Sequence, residues 1–214
     1  IGEKLKTQIR TQPVWQSLSK IEASVAGDMQ RRAWAGLLLS LVFIVAYIWF
    51  RFQKLAFGIA AVVALVHDVL VTLTFIAISH WLFKPLAFLQ MEDFKISLTI
   101  VAAFLTIIGY SLNDTIVVFD RIREVKGKSP RLTREMINTS VTQTLSRTLL
   151  TSSTTIVAIL LMFFLGGDGI HGFVYCFFVG FVVGTYSSIF VAAPVLLWIA
   201  EWEQSAKAKN PRRA

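Results

Sequence analysis

Asp114 and Arg147 are opposite charges set inside two long apolar stretches, FKISLTIVAAFLTIIGYSLNDTIVVF and TSVTQTLSRTLLTSSTTIVAILLMFFLGG. A charge near the middle of a bilayer costs roughly 2.5–3.5 kcal/mol on insertion scales, so each group is expected to face protein, water or the other. A carboxyl that can change its protonation beside a guanidinium that cannot is a pairing suited to ion-coupled work in a membrane. Spacings of 4, 3, 4 and 3 residues place Ser140, Thr144, Arg147, Thr151 and Thr154 on one helix face. Thr106, Tyr110 and Asn113 form a second stripe with Asp114. Two such stripes meeting in an apolar bundle can hold a file of water, which proton or ion passage needs. The bland alternative is a structural ion pair that locks two helices, with hydroxyls that merely satisfy their neighbours.

Further polar residues lie in ALVHDVLVTLTF, where Thr72 follows Asp68 by four positions. Asp68 is expected to cap a helix contact or to extend the polar pathway. His67 reads either as a hydrogen-bonded interhelical histidine or as a proton carrier. His67, His80 and His171 fall on different spans or span ends, so neither a metal site nor a cofactor is expected. Gly180 and Gly184, continued by Ser187 and Ser188, give a small-xxx-small spacing that lets another helix approach closely.

The elements that must hold these groups are apolar and long. Of 214 residues 55% are hydrophobic, including 17 Phe and 6 Trp, too apolar for a soluble domain of this length. Stretches able to cross a hydrocarbon core of about 30 Å run over about 33–50, 55–82, 94–119, 139–165 and 171–200. Short links at Arg51–Lys54 and Gly166–Ile170 force antiparallel hairpins, whereas 120–138 reads as one long basic loop. The net charge of +8 serves topology here, since no nucleic-acid-binding motif accompanies it. The positive-inside rule puts 120–138 and the tail at 201–214 in the cytoplasm and the N-terminal segment outside. Six basic residues in 1–32 oppose that orientation, but a folded translocated domain escapes the rule. Residues 1–32 accordingly read as the end of an external domain, with a final strand in IEASVAGDM. TQPVWQSLSK, at 11–20, reads as a surface loop or joint. The start at Ile1 is read as that of a processed or partial product. The single Cys176 is expected to pack as a small apolar residue.

On these helices Asp114 is expected about 8 Å, and Arg147 about 12 Å, above the cytoplasmic ends of their spans, with Asp68 about 20 Å above its own. The expected fold is an all-α membrane protein with five transmembrane helices at 33–200, preceded by a remnant of an external α+β domain.

ALVHDVLVTL (64–73), GYSLNDTIVVFDRIRE (109–124), SVTQTLSRTLLTS (140–152) and GFVVGTYSSIFVAAPVLL (180–197) together resemble the SecF family of the bacterial SecD/SecF protein-export machinery, in the RND superfamily. The resemblance covers residues 24–200. It implies five of six spans of an RND-like half, with the first span and most of the external domain outside the chain. It further implies a protein of the bacterial inner membrane in which proton-motive force moves an external domain that draws preproteins from the SecYEG channel after SecA. By resemblance Asp114 is the family's membrane acid and Arg147 its partner. Asn113, Asp68, His67, Thr144, Thr151 and Thr154 are assigned supporting positions on the pathway. SecD, as a separate chain or as half of a fusion, is the implied partner, alongside SecYEG, SecA, preprotein and lipid. Either protons or sodium ions suit a carboxylate among hydroxyls.

Three rivals compete with this reading. An RND-type exporter of small molecules or lipids would use the same charged pair, but the DRIRE and TQTLSRT sequences favour the export-machinery branch. An intramembrane aspartyl protease would need Asp68 and Asp114 at one depth and a GxGD sequence. A passive scaffold would carry the charge pair for no return.

Overall fold

The computed structural model of the chain describes residues 31–32, 35–36, 38–52, 54–82 and 98–209, and all regular structure among them is helical. Most of the expected external remnant, including the strand in IEASVAGDM and the loop at 11–20, lies outside the described residues. The chain divides into two compact units, Ile1–Ser40 and Leu41–Ala214, and the second holds the bundle.

Its helices are α1 (Leu38–Phe52), α2 (Leu55–Leu82), α3 (Leu98–Lys126), α4 (Arg134–Leu165), α5 (Asp168–Ser187) and α6 (Ala193–Lys209). A π-helical turn at Ser188–Ala192 joins α5 to α6 without a break. Among the described residues four helices are long and apolar enough to cross a membrane: Leu55–Ser79, Thr99–Lys126, Arg134–Leu165 and the combined Ile170–Ala206. The apolar helix α1 is shorter. A lipid-spanning chain satisfies every backbone amide within its own segment, which is why each apolar run becomes a helix.

The links follow from local chemistry. Between α1 and α2 the turn is closed by Phe52 and Phe57, stacked at 5.0 Å, with Phe119 edge-on to both. Arg51 donates to Asp120 at 2.8 Å and ties the same turn to α3. The expected loop at 120–138 shrinks, because α3 continues through Lys126 and α4 begins at Arg134. Helix propensity outlasts the apolar run in DRIREVK, and Gly127, at φ +49°, ends α3 in a conformation that side chains resist. Thr133 caps α4 by accepting from the Met136 amide at 3.3 Å. The π turn precedes Pro194, which has no amide hydrogen and crowds the preceding turn, so the ladder widens there.

Among the described residues two apolar clusters stand with a polar layer between them. One cluster joins Phe52, Ala60, Ala64, Phe119, Ile122, Ala192 and Leu196; the other joins Ile159, Val174 and Phe181. Between lie the buried Asp68, Ser111, Thr115, Thr144, Thr148, Ser152, Ser187 and Ser188. Among the described residues the most extensive helix–helix contact is that of α3 with α5. There a side chain at Gly180 would overlap Ile107, and one at Gly184 would press on Ser111 at 3.0 Å. Small residues permit that approach, and dispersion and polar contacts then hold helices that lipid cannot drive together. Cys176, on α5, is fully buried.

Candidate functional site

Asp114 on α3 and Arg147 on α4 line one cavity of about 70 Å³. Tyr110, Asn113 and Val117 complete the α3 wall, Thr148, Thr151 and Thr155 the α4 wall, and Phe181 of α5 closes the end. A polar cavity needs only about 10–15 Å³ to admit a water, so this one has room for a few. Asp114 is half-buried and Arg147 exposed on the chain's edge. The two groups act on each other electrostatically. Among the described residues no ion pair of 4.0 Å or less joins them, unlike Arg51 and Asp120 or Arg121 and Glu124. The acid and the base therefore share a water-sized space without being locked together.

The depths expected from the sequence need correction. Asp114 stands twelve residues before the end of α3 and Arg147 thirteen after the start of α4, about 18 and 20 Å along their helices. Asp68 stands thirteen residues into α2, about 20 Å along it. The cause is the helical extension of α3 and α4 beyond their apolar runs. Ser111, which bonds Asp68, stands three residues or about 4.5 Å from Asp114 along α3, so the two acids lie within about a turn of one level and the depth argument against a carboxylate pair falls away. What separates the acids is packing. Ser111 donates to Asp68 Oδ2, and His67 Nδ1 lies 3.1 Å from Oδ1 of the same carboxylate, which is 1% exposed. Between Ser111 and Asp114 a gap bordered by Phe181, Gly184 and Thr185 is too tight for water.

The stripe on α4 is also corrected. Its buried face carries Ile137, Ser140, Thr144, Thr148, Ser152 and Ile159. Each four-residue step overshoots a helical turn by about 40°, so the Ser140–Thr144–Thr148–Ser152 row rotates away from Arg147. Thr144 is buried a turn from the cavity and bonds the Ser140 and Val141 carbonyls, both at 3.1 Å. Thr151 lines the cavity. Thr154 is exposed, does not line it, and bonds its own helix at the Leu150 and Thr151 carbonyls. Thr106 likewise bonds the Ala102 carbonyl at 2.9 Å. Ser111, Thr148 and Thr155 were not singled out in the sequence. The Ser111 to Asp114 spacing of three, within GYSLNDT, was the available signal.

The described residues contain no cluster of three or more metal-ligating side chains. A multi-pass α-helical membrane protein with a carboxylate and a guanidinium on one water-sized cavity is the class that fold and site define. The chain belongs to the family described as protein export membrane protein SecD/SecF, C-terminal, which matches residues 2–202. It is 45% identical over 202 residues to the protein translocase subunit SecF of Desulfurispirillum indicum, covering 92% of this chain and 60% of that protein. To SecF of Rhodothermus marinus it is 44% identical over 205 residues, covering 95% and 62%. The chain thus spans about three-fifths of the length of these relatives. The crystal structure of SecDF, a translocon-associated membrane protein, from Thermus thermophilus superposes with a TM-score of 0.65 at 40% identity, covering 82% of this chain and 22% of that one. A super-membrane-facing form of SecDF gives 0.66 at 40% identity, covering 86% and 23%.

Proposed function

We propose that this chain is the ion-coupling membrane part of a SecF-like export subunit, in which Asp114 exchanges a proton, or a sodium ion, within reach of Arg147. The observation that carries the reading is the shared cavity: a titratable carboxyl and a fixed cation line one space, unpaired and with room for water. With Asp114 ionised, its attraction for the guanidinium draws α3 and α4 together; neutralised, it releases them. Two packed helices with two arrangements can pass that change along the bundle to the segment preceding α1. Asp68, held by Ser111 and shielded from the cavity, anchors α2 to α3 as the pair changes state.

The partner reading has its own support. Arg147 and Asn113 lie exposed on the edge of this chain. An arginine facing lipid near mid-membrane would cost roughly 2.5–3.5 kcal/mol, so another polypeptide covers this edge. SecD, named with SecF in the matching family and joined to it in the matched structures, is the partner proposed. Preprotein leaving the SecYEG channel, pushed by SecA, is the proposed load, at the bacterial inner membrane with the C-terminus in the cytoplasm.

The test uses membrane vesicles holding the full SecD/SecF complex and an export substrate, energised with a proton or a sodium gradient in turn. Asp114→Asn and Arg147→Ala are expected to remove the stimulation given by the coupling ion while leaving the protein in the membrane. Full stimulation in either variant would overturn the assignment.

A further inference from the structure

A larger cavity, about 540 Å³, lies at the basic end of the bundle, where the α1–α2 link, the α3–α4 loop and the end of α6 meet. Lys54 and Lys126 both line it, close enough for their side chains to act on each other. Lys126 also donates to the Ser129 carbonyl at 2.7 Å. Among the described residues neither lysine forms an ion pair of 4.0 Å or less with a carboxylate. Glu203 is the acid on the wall, so the formal charge of the lining is +1. The rest of the lining is largely apolar, with Trp49, Leu55, Phe57 and Leu196. Two adjacent cations over an apolar wall, beside a tryptophan at the end of membrane-spanning helices, match an anionic head joined to a hydrocarbon tail.

We propose that this cavity binds phosphatidylglycerol, with Lys54 and Lys126 on the phosphodiester, the glycerol hydroxyls donating to Glu203, and an acyl chain along the wall of Trp49, Leu55 and Leu196. The single negative charge of that lipid cancels the net +1 of the lining, whereas a zwitterionic lipid brings a cation of its own and leaves that +1 in place. A lipid seated there bridges two connections of the bundle and the end of α6, and steadies the end on which α3 and α4 turn. The site stands apart from Asp114 and Arg147 and does not rest on the coupling reading.

The experiment is native mass spectrometry of the full chain in detergent, titrated with phosphatidylglycerol, phosphatidylethanolamine, phosphatidylcholine or inorganic phosphate. The wild type is expected to retain phosphatidylglycerol in preference to both zwitterionic lipids. Lys54→Gln with Lys126→Gln should weaken it about twenty-five-fold, since each lysine near a lipid surface contributes about fivefold. Lys54→Arg with Lys126→Arg should keep it, which separates charge loss from misfolding. Ala200→Phe, which fills the apolar wall and keeps both lysines, should weaken it as well. Lys128→Gln with Arg131→Gln, exposed and outside the cavity, should leave it unchanged. Equal retention by the Lys54/Lys126 glutamine variant, equal loss in the Lys128/Arg131 variant, equal binding of phosphatidylethanolamine, or displacement by millimolar inorganic phosphate would each overturn the proposal.

Discussion

Asp114 and Asp68 are two carboxyls within about a turn of one level of the bundle, with opposite surroundings. Asp114 faces a cavity with hydroxyls and a guanidinium; Asp68 is sealed and held by Ser111 and His67. Exchange with water belongs to the first environment and anchoring to the second. Asp114→Asn should therefore spare stability while removing ion coupling, read as export with and without a gradient. Ser111→Ala should do the reverse. It strips a hydrogen bond from a buried carboxylate and is expected to lower stability by about 1.5–3 kcal/mol, measured by thermal unfolding in detergent. A Ser111→Ala variant of wild-type stability would mean that Asp68 draws its support elsewhere.

The helices decide how these groups meet. Gly180 and Gly184 bring α5 against Ile107 and Ser111, and the hydroxyl donated to Asp68 sits on that seam. Gly180→Val forces a side chain into Ile107 and should cost about 1–3 kcal/mol or more, seen as a lower melting temperature with lower expression. Thr115 offers the opposite case, because its hydroxyl is buried with no hydrogen-bond partner. Thr115→Val should raise stability by about 1 kcal/mol, since it removes a polar atom whose desolvation nothing offsets. A loss of stability would assign that hydroxyl a partner. Of the two stripes read in the sequence, Tyr110, Asn113 and Asp114 share the cavity wall on α3, whereas α4 presents its 140–144–148–152 row to the bundle and leaves Arg147 on the rim. A membrane threonine can bond its own helix carbonyl as readily as a neighbour, as Thr154 does, so hydroxyl periodicity alone does not tell which face turns inward.

For the whole molecule, the exposed edge between α3 and α4 is the surface on which the proposed contact with SecD is tested. α4 buries the smallest share of its surface among the four long helices, and it forms one wall of the cavity that Asp114 and Arg147 line. The sole native thiol, Cys176, is buried, so a thiol placed at exposed Asn113 reports on this edge with little background. Asn113→Cys should react quickly with a small water-soluble maleimide when the chain is made alone, and on the order of tenfold more slowly when SecD is present. Equal rates would place SecD on another face.

The apolar runs, their short links and the charges inside them were enough to define an α-helical membrane bundle with an acid and a base on adjacent helices, because a bilayer leaves the backbone no alternative to helix and makes each embedded charge expensive. The same chain reading put the basic loop too long, Asp68 too far from Asp114, and the hydroxyl face of α4 about a sixth of a turn out of place. Those depend on where a helix stops beyond its apolar run and how it rotates against its neighbours. Capping at Gly127 and Thr133, and close contact at Gly180 and Gly184, decide both, and such contacts exist only once the helices have packed.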